Sequence, residues 1–146
     1  MTDSELAHEL NLLVLRKRMT FRQTIQRILK SNNVDMTFEM LQVMHCLWKE
    51  QGVSQQSLAE KTAKDKACLT NLINNLEKKG WVIRQEDCND RRNKLIYLTP
   101  EGEKVADKIK SLLKDMYTQV GQQMNTKHME ACMKHLSKLN EIFDQI

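Results

Sequence analysis

The sequence contains only one proline, four glycines and 5% aromatic residues in 146 positions. So few turn-forming residues, together with 29% charged residues, exclude a loop-rich, collagen-like or disordered chain. No apolar run approaches the about 18–20 residues of a membrane-spanning helix, and the N-terminal residues lack the basic and apolar regions of a signal peptide. We therefore expect a helical, cytoplasmic protein that makes no membrane contact and keeps its four cysteines reduced.

Sequence motifs of enzymes are also missing. The chain has no nucleophile elbow, phosphate-binding loop or HExxH zinc motif. His128, Cys132 and His135 share one face of the last predicted helix at a spacing that metals use, but Cys132 also continues the apolar seam of that helix, and the seam is the favoured interpretation. The sequence predicts neither an enzyme nor a cofactor or metal site.

Basic residues are in mild excess. There are 23 Lys and Arg residues against 19 Asp and Glu residues, which gives a formal net charge of +4. This balance is compatible with a polyanionic partner such as nucleic acid, but it is not diagnostic.

Residues 54–80 have the pattern of a helix-turn-helix. Ser54 is placed to cap one short helix and Asp65 to cap the next. The turn between the two helices falls at Thr62-Ala63-Lys64, and Gly80 stands where a C′ glycine ends the second helix. This order of helices predicts a DNA-reading unit.

A hairpin is predicted to follow this unit. Two β-like segments, 81–85 and 94–98, flank a polar loop at 87–93 that contains Asp90-Arg91-Arg92. Thr99 and Pro100 then suit the start of another helix. We therefore predict a mainly α fold, a winged helix-turn-helix with a two-stranded β-wing.

Three outer helices carry apolar stripes that this unit does not need. They belong to residues 1–34 and 100–146, whereas the winged helix spans about 37–99 of a single domain, 1–146. Thr126 is expected to cap the last helix. The stripes either pack against a second copy, which we favour because winged helices that read DNA usually need two half-sites, or pack together within a monomer. The predicted dimerisation residues are Leu10, Val14, Ile109, Leu112, Met116, Leu136, Leu139 and Phe143.

The exposed face of the fourth predicted helix and the wing hold the residues suited to DNA contact. Amide, hydroxyl and amino groups near a helix N-terminus can pair with base edges, and an arginine of the wing can enter a narrow minor groove. Further lysines, arginines and helix N-caps suit phosphate contact. The alternative is an ordinary solvated helix face and a charged turn. The predicted contacts are Ser54, Lys64, Lys66, Ala67, Thr70, Asn71, Asn74, Lys78, Arg84, Asp90, Arg91 and Arg92.

Several parts of the chain resemble the MarR family of bacterial regulators: Leu58-Ala59-Glu60-Lys61, Asp65-Lys66, Thr70, residues 76–82, Asn89-Asp90-Arg91-Arg92 and Leu98-Thr99-Pro100-Glu101-Gly102. The resemblance implies a homodimer that binds a near-palindromic operator, with Arg92 as the wing-tip arginine and Asp90 as its support. The chain departs from the family pattern at Thr62, Lys64, Ala67, Cys68 and Asn71, which leaves the operator sequence open.

The resemblance also implies control by a small phenolic or lipophilic ligand. We expect a repressor of transcription that such a ligand releases from duplex DNA. Two alternatives stay open: a winged helix that binds protein, and a regulator that responds to oxidation of Cys68 or Cys88. The first helix lacks the cysteine that a redox-sensing branch of the family uses, which disfavours the second alternative.

Overall fold

The computed structural model describes the whole chain, Met1–Ile146, as six helices and three short strands. It confirms the mainly α winged helix-turn-helix. No helix has the length and apolarity to cross a membrane. The helices are α1 (Asp3–Ser31), α2 (Phe38–Lys49), α3 (Gln55–Thr62), α4 (Lys66–Lys78), α5 (Pro100–Gln123) and α6 (Thr126–Asp144), and the strands are β1 (Val53–Ser54), β2 (Val82–Asp87) and β3 (Asp90–Leu98).

The helix-turn-helix begins and ends where its capping residues predict. The Ser54 hydroxyl accepts the Ser57 amide at 3.0 Å, and the Asp65 carboxylate accepts the Cys68 amide at 2.7 Å. Each contact satisfies one of the amides that the first turn of a helix leaves without a partner. The α6 prediction was one residue off, because the amide oxygen of Asn125, not the Thr126 hydroxyl, accepts the His128 amide.

The wing has one more strand than predicted. β1 pairs with β3, with Val53 opposite Ile96, so the sheet has three antiparallel strands in the order β1-β3-β2. Two residues are too few to show an alternating pattern in the sequence, so β1 was missed.

The polar loop predicted at 87–93 was also wrong. The turn consists of Cys88 and Asn89 alone, and Asp90–Asn93 already belong to β3. The register of β2 against β3 shifts between Glu86, which pairs with Lys94, and Asp87, which pairs with Asp90, so residues 91–93 lie in an irregular part of the hairpin.

The core of the first compact unit, Met1–Ile109, lies beneath the helix-turn-helix and the sheet. Burying one such aliphatic side chain stabilises a fold by about 1.5–3 kcal/mol, so this core holds α4 and the sheet in place. Leu72, predicted to be buried, is only half-buried. The fully buried side chains include Met44, Leu47, Leu58, Leu69, Ile73, Leu76, Ile96 and Ile109.

The second compact unit, Lys110–Ile146, contains the end of α5 and all of α6. None of the α6 residues is buried. Leu136 and Phe143 are 43% and 53% exposed, so apolar side chains of this helix face solvent in the single chain.

Candidate DNA-binding interface

The turn between α3 and α4 presents the N-terminal half of α4 to solvent. Ala63 adopts a left-handed conformation with φ of 54°, and the Lys64 amide returns to the Ala59 carbonyl at 3.0 Å. These two features end α3 within one residue and let Asp65 start α4. Leu69 and Ile73 point into the core while Lys66, Ala67 and Asn71 are exposed. The exposed side is the one that the sequence predicts to read DNA.

The wing places its two arginines at the start of β3. Arg91 and Arg92 are both exposed. The Asp90 carboxylate accepts the backbone amide of Arg92 at 3.0 Å, which fixes the first residues of the strand. The support of the Arg92 guanidinium by Asp90 stays a prediction.

A cleft of about 480 Å³ lies between α3, α4 and β3. It unites Lys66 and Arg92, predicted separately from helix and wing, and it adds Lys94 and the side chains of Gln55 and Gln56. The two glutamines were missed as site residues, although their position directly after the Ser54 N-cap was the available signal. A concave surface with three cationic side chains suits a polyanion. Its lining is Gln55, Gln56, Ala59, Lys66, Leu69, Arg92, Asn93 and Lys94.

Thr70 is less available for base contact than predicted. Its hydroxyl donates to the Lys66 carbonyl at 2.8 Å and accepts from the Gln55 side-chain amide at 2.8 Å. A threonine hydroxyl has a single hydrogen to donate, and here that hydrogen is already used. The methyl group and one lone pair are left for a base.

The Arg84 side chain is half-buried and is held by bonds within the protein. Its guanidinium forms an ion pair with Glu77 and donates to the Thr70 carbonyl at 3.4 Å. Only 22% of the Arg84 side chain is exposed. The predicted phosphate contact would require these internal bonds to break, so the structure does not support it.

The remaining predicted contacts surround this face. Ser54, Lys64 and Asn74 are half-buried, and Lys78 is exposed. The Ser54 hydroxyl already caps α3, which leaves the α3 backbone amides as its route to a phosphate. Each of these four residues stays a predicted contact.

The predicted dimerisation residues fall into two groups. Ile109 is 0% exposed; it is a core residue of its own chain and presents no surface to a second copy. Leu10, Leu136 and Phe143 are exposed. The other four, Val14, Leu112, Met116 and Leu139, are half-buried.

The cysteines separate by exposure. Cys68, Cys88 and Cys132 are exposed. Burial raises the pKa of the Cys46 thiol, and the nearby charges of Lys61 and Lys49 only partly oppose this effect. Cys46 therefore stays a thiol and is a poor nucleophile.

The helix-turn-helix, the third strand and the hairpin together define a winged helix-turn-helix protein. Residues 37–94 match the MarR family model. Among curated relatives, the transcriptional regulator HosA of Escherichia coli O127:H6 is 35% identical over 71 residues, 49% of this chain and 53% of HosA. The chain thus spans about half the length of that relative.

Solved structures extend the likeness to most of the chain. The MepR–DNA complex of S. aureus superposes with a TM-score of 0.82 and 25% identity, over 90% of this chain and 96% of MepR. NadR in complex with 4-hydroxyphenylacetate superposes with a TM-score of 0.74 and 25% identity, over 89% of this chain and 91% of NadR. Residues 37–94 are thus similar to the MarR family, and the chain shares the winged helix-turn-helix fold of MepR and NadR over most of its length.

Proposed function

We propose that the protein is a sequence-specific, duplex DNA-binding regulator of transcription. The observation that carries this proposal is the shared cleft, in which Lys66 at the start of α4 and Arg92 of the wing border one concave, cationic surface. A helix and a hairpin so arranged fit the major groove and the adjacent minor groove. The likeness to MepR, solved as a DNA complex, supports the same role.

The protein acts as a homodimer on a near-palindromic operator. Residues 37–99 read the DNA, while residues 1–34 and 100–146 of the same domain supply the dimer contacts. Two copies of α4 must lie about one helical turn apart, roughly 34–36 Å, to reach successive major grooves. The exposed apolar side chains of α1 and α6 support an association between copies.

Regulation is by repression that a small ligand relieves. A small dimer bound across a promoter acts most simply by occluding that promoter from the cytoplasmic transcription machinery, and no catalytic step is involved. NadR was solved with 4-hydroxyphenylacetate, a phenolic compound, which supports a phenolic or lipophilic ligand here. Such a ligand lowers operator affinity if it changes the separation of the two α4 helices.

Selection of bound sequences from a random duplex pool tests this function, with Arg92→Ala beside the wild type. We expect a pseudo-palindromic motif with half-sites about 10 base pairs apart, which the variant enriches weakly or not at all. Binding that is salt-sensitive but blind to sequence would overturn the proposal and favour a protein-interaction module.

A further inference from the structure

Three elements of the DNA-reading unit meet at Thr70. Gln55, the first residue of α3, donates its side-chain amide to the Thr70 hydroxyl at 2.8 Å. Arg84 of β2 reaches the Thr70 carbonyl at 3.4 Å and pairs with Glu77, which lies about two turns further along α4. Thr70 and its partners thus bridge α3, α4 and the wing, and this set of Gln55, Thr70, Glu77 and Arg84 is called the Thr70 bridge.

The charged members of the Thr70 bridge differ from the cations that border the cleft. Arg84 is 22% exposed and Glu77 is 36% exposed, and the charge of each is compensated by the other. Arg92 and Lys66 are exposed and form no ion pair within the chain. Arg92 and Lys66 can therefore bind a phosphate without first breaking an ion pair, whereas Arg84 cannot.

We propose that Gln55 and Arg84 are positioning residues for DNA recognition, which hold α4 at a fixed place relative to α3 and the wing and do not contact the phosphate backbone. This inference rests on the proposed function. The core beneath α4 resists its separation from the sheet, while the Thr70 bridge acts at the surface, where a small shift of α4 changes which base edges its side chains reach.

Arg84 could act as a phosphate contact or as a positioning residue, and these two alternatives predict different salt dependences of DNA binding. A phosphate contact contributes about 0.9 to the slope of log K against log salt, on every duplex alike. A positioning residue leaves that slope unchanged and lowers only the ratio of specific to non-specific affinity. A merely structural residue lowers the folded fraction and affects both duplexes equally.

The decisive variant replaces both charged residues with glutamine, Glu77→Gln with Arg84→Gln, because the net charge of the protein is then unchanged. Affinity is measured against the duplex recovered by selection and against a random-sequence duplex, each over a series of salt concentrations. We expect about tenfold weaker specific binding, with the random-duplex affinity and both salt slopes at wild-type values. A slope reduced by about 0.9 per subunit would show a phosphate contact and overturn the proposal.

Lys78→Gln is the matched control, since Lys78 is exposed on the same helix. This variant should lower the salt slope on both duplexes and leave the ratio of specific to non-specific affinity unchanged. It shows that the titrations resolve the loss of a single phosphate contact.

Gln55 is tested through Thr70. Thr70→Val removes the hydroxyl and keeps a methyl group, so Gln55→Ala should weaken specific binding in the wild type and have no further effect in Thr70→Val. Additive losses would mean that Gln55 contacts a base directly and would overturn its positioning role.

Failure of the proposed function has a separate signature, because the wild type itself would then select no sequence. In that case thermal denaturation alone measures the coupling between Gln55 and Thr70. Gln55→Ala and Thr70→Val should each lower Tm. The Tm of the double variant should not fall below that of the less stable single variant. Fully additive Tm shifts would show that the bridge does not couple α3 to α4.

Discussion

Arg92 and Arg91 are adjacent, exposed and equally charged, but they differ in their place relative to the cleft. Only Arg92 borders the cleft. Arg92→Ala should weaken binding to the selected duplex by about tenfold or more, since a well-placed arginine contact is worth about 1–3 kcal/mol. Tm should stay near the wild-type value, because an exposed side chain without an ion pair adds little stability.

Titration of the selected duplex and thermal denaturation check this prediction together. Arg91→Ala is the control, since it removes the same charge from a neighbouring residue that does not border the cleft. Equal losses of affinity in the two variants would mean that the wing contributes only diffuse charge and that Arg92 has no particular place in the groove.

Glu39 links stability to pH through Arg22. Burial alone would raise the pKa of Glu39, but the Arg22 hydrogen bond and charge, with help from Lys64, lower it below the usual 4.5. A carboxylate with a lowered folded-state pKa stabilises the fold above about pH 4.5, and this stability is lost as the pH falls through the folded-state value.

We expect wild type to be more stable than Glu39→Gln above about pH 5 and the difference to shrink steadily on further acidification. The difference should stay below about 1 kcal/mol, because water screens this half-exposed pair. Urea denaturation from pH 3 to pH 7 measures it. A difference that grows in acid would reverse the sign and exclude the ion pair as its source.

At the scale of elements, α5 is joined to the end of the helix-turn-helix by close backbone packing. The Thr99 amide donates to the Trp81 carbonyl at 3.0 Å. A Cβ placed on Gly102, in the first turn of α5, would lie 2.0 Å from that same carbonyl oxygen. The backbone cannot yield there without moving α5 away from the wing.

Gly102→Ala should therefore destabilise the fold by about 1–3 kcal/mol or more, as overpacking does. Gly121→Ala is the control within the same helix, since nothing lies within 4 Å of its added Cβ, and it should be neutral or stabilise by up to about 1 kcal/mol. Both are measured by urea denaturation. A stable Gly102→Ala variant would show that α5 is not held against Trp81.

The sequence predicts local elements better than contacts between them. Ser54 and Asp65 cap helices through contacts within three residues, so the starts of α3 and α4 were predicted correctly. Their ends were each one residue off, because Thr62, predicted in the turn, belongs to α3, and α4 ends at Lys78 instead of Lys79. β1 is too short to carry a pattern, and its pairing with Ile96 is a tertiary contact. The internal bonds of Thr70 and Arg84 could not be predicted for the same reason, because their partners, Gln55 and Glu77, are adjacent to them only in the folded chain.

At the scale of the whole molecule, several apolar side chains of α6 are exposed to solvent in the single chain. Leu136, Leu139 and Phe143 recur at intervals of three and four and share one helix face, and Leu136 and Phe143 are largely exposed. Solvent exposure of so many apolar side chains on one face marks an interaction surface. The dimer proposed above would cover it.

Leu136→Asp should place a charge on this face and shift the protein to monomers, because an unpaired carboxylate is costly to bury. The matched control, Ser137→Asp, adds the same charge one residue away, about a quarter-turn from Leu136 and off the apolar face, and should stay dimeric. Sedimentation over a range of concentrations measures the association, and titration with the selected duplex measures binding. The monomeric variant should lose most of its affinity for the full pseudo-palindrome and bind a single half-site as weakly as the wild type does. A monomer that binds the full site normally would contradict the two-half-site arrangement and assign the α6 face to another partner.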